Sequence, residues 1–203
     1  MKIALIGASG SAGSRILLEA LARAHVVTAI ARHAQTLTPR DRMTAVDADI
    51  NDVQALTAAL RGHDAVVSSV RFLDFDAGKL LRAMKSAGVG RLVMVGGAGS
   101  LLTPSGVALV DTPGFPPPAL PEARAGAATL AALRQETGID WTFVSPSAQF
   151  GPGTRTGKFR IGADQLLVAP DGKSHVSQED FAIALLDELE SGAHPRQRIT
   201  VGD

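Results

Sequence analysis

The stretch Gly7-Ala8-Ser9-Gly10-Ser11-Ala12-Gly13 constrains the chain more than any other, because of what stands on either side of it. Before it, Lys2 to Ile6 is a short apolar run, the pattern of a strand buried on both faces. After it, Ile16, Leu17, Ala20 and Leu21 recur at helical spacing within Ser14 to Ala24. A strand, a glycine turn and a helix in that order build a phosphate cradle. Gly7 makes the tight turn, Gly10 lets the backbone approach a pyrophosphate, and Gly13 lets the helix close on the sheet. The N–H groups at the helix start then face the anion, and the helix dipole favours its charge. Gly7, Ser9, Gly10, Ser11, Ala12 and Gly13 are therefore candidate cofactor-binding residues.

The rest of the chain repeats the alternation. Strand patterns span His25 to Ala31, Thr44 to Ala48, Ala65 to Val70, Arg91 to Val95, Trp141 to Ser145 and Arg198 to Val201. Helical patterns span Val53 to Leu60 (with Asn51 or Asp52 as cap), Gly78 to Ser86, Glu122 to Thr137, and a helix from Ser177 to about Glu190. Strands separated by helices form a parallel sheet with crossover connections, and right-handed crossovers lead to a doubly wound Rossmann sheet. One α/β domain over 1–203 is expected, with a small C-terminal substrate-side extension. Two segments fall outside the alternation. Residues 96–121 are rich in Gly and Pro and read as a lid; 146–176 read as a substrate-side segment, with Phe159 to Val168 extended or a hairpin.

Composition narrows the function. The formal net charge is +0, and no basic stripe interleaves with aromatics, so neither nucleic acid nor a membrane surface is expected as partner. The opening residues read as a strand rather than a signal peptide, no apolar run is long enough to span a bilayer, and the chain has no Cys; a cytoplasmic setting is expected. The His residues have no metal-ligand spacing, so no metal site is expected.

The base-selecting position lies about 20 residues beyond the glycine loop, where NAD-preferring proteins carry a carboxylate. Here it holds Arg32 and His33. A guanidinium pairs with a ribose 2′-phosphate, so NADP (as NADPH) is favoured over NAD; the alternative is a solvated arginine at a strand end. Ser68, Ser69 and Val70 close the fourth strand at the switch point, where such a sheet holds the cofactor ribose; the alternative is that the two hydroxyls serve only as turn formers. Arg155 and Lys158 lie in a cation-rich loop that either holds an anionic acceptor or forms a solvated hairpin. Ser100, after the fifth strand, is a further substrate-side candidate.

The glycine spacing G-x-x-G-x-x-G resembles the short-chain dehydrogenase/reductase superfamily. DADINDVQAL, AVVSSV, RLVMVGGAGSL, DTPGFP, DWTFVSPSAQFGPG, RTGKFR and QRITVG extend the likeness over almost the whole chain. They resemble the atypical members known as NADH-flavin reductase-like proteins and, more distantly, biliverdin-IXβ/flavin reductase and NmrA-like proteins. The resemblance implies that Asp49 and the Ile50 N–H touch the adenine ring; the residue's place before a helix also makes Asp49 a cap candidate, and it can be both. It also implies that Pro146 and Ser147 meet the nicotinamide carboxamide, largely through backbone atoms; the alternative is a plain turn at the strand end.

The resemblance breaks at the catalytic group. Common members of the superfamily use Tyr-x-x-x-Lys, the Tyr protonating a carbonyl oxygen. This chain has no Tyr, and its PEARAGAATLAALRQE helix has no Lys. The Ser and His flanking the site in flavin reductase relatives fall near Gly97 or Ala98 and Ala148. A flavin or quinone is already electrophilic and takes its proton from water, so an NADPH-dependent reductase of a planar acceptor is expected, without an assignable catalytic residue. The alternative is a non-catalytic NADP(H) sensor of the NmrA-like type. A homodimer is left open by the exposed helices.

Overall fold

The computed structural model describes residues 1–203. Ten strands are present: β1 Lys2–Ile6, β2 Val26–Ala31, β3 Met43–Asp47, β4 Ala65–Ser68, β5 Arg91–Val95, β6 Asp140–Pro146, β7 Gln149–Gly151, β8 Arg160–Gly162, β9 His175–Ser177 and β10 Gln197–Gly202. Five α-helices join them: α1 Ser11–Ala22, α2 Val53–Leu60, α3 Ala77–Ala87, α4 Leu120–Arg134 and α5 Gln178–Ser191. None is long and apolar enough to cross a membrane.

Eight strands form one sheet in the order β3-β2-β1-β4-β5-β6-β10-β8, and only β8 runs antiparallel to its neighbour. This is the doubly wound sheet read from the sequence. The strand order reverses between β1 and β4, which opens a crevice above their carboxyl ends. Strand alternation divides the apolar residues between two cores. Ile3, Leu5, Val67 and Val144 face Ile16 of α1 and Phe181 and Leu185 of α5. Ala4, Ile6, Val66 and Phe143 face Leu56 of α2, Leu80 of α3 and Leu130 of α4. Both faces of the central strands are covered, which accounts for their continuous apolar runs.

Local signals set the helix ends. Asp52, not Asp49, caps α2, its carboxylate accepting from the N–H groups of Gln54 and Ala55 at 3.0 Å each. Ser177 caps α5 by accepting from the Asp180 N–H at 3.0 Å. β4 stops at Ser68, two residues before the expected end, and Ser69 and Val70 line the crevice. α1 starts at Ser11, three residues earlier than its apolar periodicity indicated, so the end of the glycine loop is already the first helical turn.

The 96–121 segment holds two short 3-10 turns, Leu109–Asp111 and Pro117–Ala119. It is fastened to the 146–176 segment: the Leu102 N–H donates to the Asp164 carbonyl and the Leu102 carbonyl accepts from Leu166, both at 2.8 Å. The 146–176 segment contributes β8 to the main sheet and the short parallel pair β7–β9, which sequence patterning did not indicate.

Candidate cofactor-binding site

β1 ends in a turn that only glycine fits. Gly7 sits at φ +83°, and a Cβ there would come within 2.8 Å of the Ser69 carbonyl carbon at the end of β4. A Cβ on Gly13 would lie 2.9 Å from the Gly7 carbonyl carbon and 3.3 Å from the Ala8 Cα. Turn, helix and strand end are thus pressed together at two glycines. The Gly7 N–H is tied to the Ile30 carbonyl at 2.9 Å, and the Gly10 N–H to the Gly7 carbonyl at 3.0 Å. The first backbone bond of α1 is Ser14 N–H to the Gly10 carbonyl, at 2.9 Å. The N–H groups of Ser11, Ala12 and Gly13 therefore have no acceptor within the chain, no side chain caps the helix, and its first turn carries no acidic residue. Three free donors at the positive end of a helix form an anion site, with about half an elementary charge from the dipole.

The Ser11 hydroxyl is engaged elsewhere: it donates to Gln178 Oε1 at 2.7 Å, holding the start of α5 beside the start of α1. Arg15 Nε donates to Glu179 at 3.0 Å one turn later. Burial alone would raise the Glu179 carboxyl, but the Arg15 bond and the Gly153 N–H outweigh it and hold the group below the usual carboxylate range.

A groove of about 330 Å³ opens beside this turn. Gly7, Ser9, Gly10, Arg32, Asp49, Ile50, Ser69 and Val70 all line it, so the structure gathers most of the expected cofactor residues around one cavity. Arg32 is exposed at the end of β2 and makes no ion pair or side-chain hydrogen bond. Its loop is fixed from β3, where Asp47 accepts from the Ala34 N–H at 2.5 Å. Asp49 is exposed and accepts from the Asn51 N–H at 2.8 Å, which shapes the corner at the groove's end. Ile50 is buried and forms part of the floor. Asn51, read from the sequence only as a helix-cap candidate, completes the rim with Arg71 and Asp74.

Other expected residues lie off the groove. Ser68 is 1% exposed, and its hydroxyl points into the α2–α4 core without a partner; the lining falls to Ser69 and Val70 because strand alternation turns Ser68 inward. Pro146 and Ser147 are buried at the end of β6, and the Ser147 hydroxyl donates to the Val201 carbonyl at 3.1 Å, leaving main-chain atoms as what this turn can present.

The three substrate-side candidates do not converge. Ser100 accepts from Arg198 Nη1 at 2.9 Å, and the buried Arg198 guanidinium also grips Asp164. This tie packs the loop after β5 over the sheet edge, so Ser100 is a structural strut. Arg155 lies on the flank of α1, donating to both carboxylate oxygens of Glu19 at 3.1 Å. Burial would raise the Glu19 carboxyl, yet the bonds from Arg155 and Arg23 bring it below the ordinary range. Arg155 is thereby committed to α1. Lys158 is exposed in a turn secured elsewhere: the buried Asp180 accepts from the Thr156 and Gly157 N–H groups at 2.8 Å each. Neither cation reaches the groove. The same segment borders a separate, shallow depression of about 520 Å³ lined by polar residues such as Gln149, Thr154, His175 and Asp180.

The groove fits a dinucleotide on three counts: a turn and helix start brought together at two glycines that admit no Cβ, free N–H donors at a helix start, and an unpaired guanidinium at the far rim. Relatives agree. A sequence profile described as NAD(P)H-binding matches residues 7–191. YwnB of Bacillus subtilis (strain 168), an uncharacterised protein, is 43% identical over 99% of this chain and 98% of its own. A Bacteroides thetaiotaomicron protein provisionally named an epimerase superposes with a TM-score of 0.94 at 40% identity, covering 99% of this chain and 96% of that one. A Streptococcus pneumoniae protein provisionally named an NADH-flavin reductase gives 0.86 at 34% identity, covering 100% and 99%. The chain belongs to the NAD(P)H-binding family.

Proposed function

We propose that the chain is an NADPH-dependent oxidoreductase that passes hydride to a flavin, quinone or similar planar acceptor in the cytoplasm. The observation that carries this reading is the glycine-built groove with the unpaired Arg32 on its rim. The N–H groups of Ser11, Ala12 and Gly13 hold the diphosphate, with Gly7, Ser9 and Gly10 forming the bed beneath it. Arg32 takes the 2′-phosphate, which NADH lacks. Asp49 and the Ile50 N–H contact the adenine, Ser69 and Val70 border the ribose, and the Pro146–Ser147 backbone faces the carboxamide.

Bound NADPH supplies the hydride, and an oxidised flavin or quinone accepts it together with a proton from water. The chain then needs to furnish position rather than an acid, and position is worth roughly 7–11 kcal/mol in favourable cases. The side of α4 turned toward Phe72 and Gly99 carries Gly126 and Ala123, with neither Tyr nor Lys, which removes Tyr–Lys carbonyl chemistry.

Mixing the purified protein with NADPH and FMN, FAD or a small quinone should consume NADPH, with NADH slower and Arg32→Ala narrowing the gap between them. Tight NADPH binding without turnover on any acceptor, together with a protein partner retained from the cell, would favour the NADP(H)-sensor reading instead.

A further inference from the structure

Arg71, at the rim of the groove, is assigned no role by the reading above. It lies three residues past the end of β4, and its side chain is 69% exposed. The nearest carboxylate is Glu122 at the start of α4, with Arg71 Nη2 3.8 Å from Oε2. Glu122 already serves the backbone: its Oε1 accepts from the Phe72 N–H at 2.6 Å and its Oε2 from the Leu73 N–H at 3.3 Å. An exposed pair at this separation holds weakly. The main chain under Arg71 is therefore fixed while its guanidinium is free to exchange partners.

The platform is fixed at both ends. The Phe72 ring stacks on Phe143 with centroids 5.9 Å apart, and it comes so close to Gly126 that a Cβ there would stand 2.9 Å from the ring. At the opposite end, Asn51 donates from Nδ2 to the Asp74 carbonyl at 2.8 Å, and its Oδ1 accepts from the Asp76 N–H at 3.1 Å. The segment from Arg71 to Asp76 is a bridge from α4 to the corner between β3 and α2, and Arg71 stands at its α4 end.

Strand order determines what Arg71 faces. β1 lies between β2 and β4, so Arg32 after β2 and Arg71 after β4 flank the Gly7 turn on opposite sides. A diphosphate resting on the first turn of α1 presents its other side to the loop after β4. We propose that Arg71 is a binding residue for the diphosphate bridge, its guanidinium leaving Glu122 to pair with phosphate oxygens from the side opposite α1. This rests on the dinucleotide reading above. Arg32 then discriminates between cofactors, whereas Arg71 adds affinity for both, because NADH and NADPH share the bridge.

Calorimetry with NADPH, NADH and adenosine 2′-monophosphate tests this in the wild type, Arg71→Ala, Arg71→Lys and Arg32→Ala. Arg71→Ala should weaken both dinucleotides by a similar factor, roughly tenfold, leave the mononucleotide unchanged and unfold at the wild-type temperature. Arg71→Lys should restore part of the loss as a point charge. Arg32→Ala should instead weaken NADPH and the mononucleotide and spare NADH. Wild-type binding with Arg71→Ala unaffected would overturn the Arg71 assignment alone. An equal loss for the mononucleotide would also overturn it, by moving Arg71 to the adenosine end. If the wild type bound no dinucleotide, both the assignment and the reading beneath it would fall.

Discussion

Replacing Gly13 by Ala sets two physical effects against each other. Gly13 lies in the first turn of α1, where helix propensity alone favours Ala over Gly by about 1 kcal/mol. The added methyl, however, would sit 2.9 Å from the Gly7 carbonyl carbon and closer still to its oxygen, against backbone that has no rotamer to change. Ordinary contact begins near 3.4 Å, so helix and turn must separate. Overpacking of this kind costs about 1–3 kcal/mol, and an approach this close lies at the upper end, so the net loss after propensity is up to about 2 kcal/mol. For a chain of this length about 2 kcal/mol is a fall in Tm of roughly 4–8 °C. The same separation moves the N–H groups of Ser11 to Gly13 off their line to the diphosphate. Losing one charge-assisted bond there costs about 1.5–3 kcal/mol, or roughly 10- to 100-fold in Kd for NADPH. Gly78→Ala in α3 is the control, since its new methyl meets only the side-chain ends of Asp76 and Arg82 at 3.1 and 3.4 Å. By propensity it should raise stability by up to about 1 kcal/mol, less whatever the Asp76 cap of α3 yields in making room, and it should leave Kd alone. Differential scanning calorimetry and titration calorimetry read both numbers. A Gly13→Ala protein as stable as wild type with unchanged affinity would refute the claim that the close approach of α1 builds the site.

Three further predictions concern the frame around the groove. Glu188 is 4% exposed and accepts from Arg91 at 2.8 Å, Thr142 at 2.9 Å and His194 Nδ1 at 2.6 Å. Burial would raise its carboxyl, but the bonds from His194, Thr142 and Arg91 outweigh that and hold it below the usual range. The stabilisation is thus complete above the unfolded carboxylate range and disappears as pH falls through the lowered folded value. Urea unfolding should lose stability more steeply with acid in wild type than in Glu188→Gln; equal slopes would contradict the assignment. Asp52→Ala should cost about 1 kcal/mol by uncapping α2, and a loss below about 0.3 kcal/mol in the same unfolding assay would deny the cap its role. Arg155→Ala should leave the KM for any working acceptor unchanged, because Glu19 holds that side chain on α1; a manyfold rise in KM would return Arg155 to the substrate site.

What could be read from the sequence was what depends on neighbours along the chain. The Gly7–Gly13 loop, the strands beside it, the Ser177 cap and the Gly88 stop of α3, at φ +75°, all follow from spacing within a few residues. What could not be read is what a residue distant in sequence decides. Arg155 and Lys158 looked available because Glu19 and Asp180, the groups that fix Arg155 and the Lys158 turn, are remote in sequence. The β7–β9 pair consists of three-residue strands with no periodicity to betray them, held only by long-range backbone pairing. Ser68 could have been placed correctly, since strand alternation from Val66 already turns it into the core. Arg71 also carried a usable signal: a cation just beyond the strand at the switch point, matching the position of Arg32 across the turn.

The most direct test of the account is a backbone amide NMR titration of the whole chain with NADPH. The cross-peaks of Ser9 to Gly13 should shift most strongly, with Arg32, Ile50 and Ser69 following and the walls of the 149–180 depression unmoved. Saturable NADPH binding that shifts the depression and leaves the glycine turn still would contradict it.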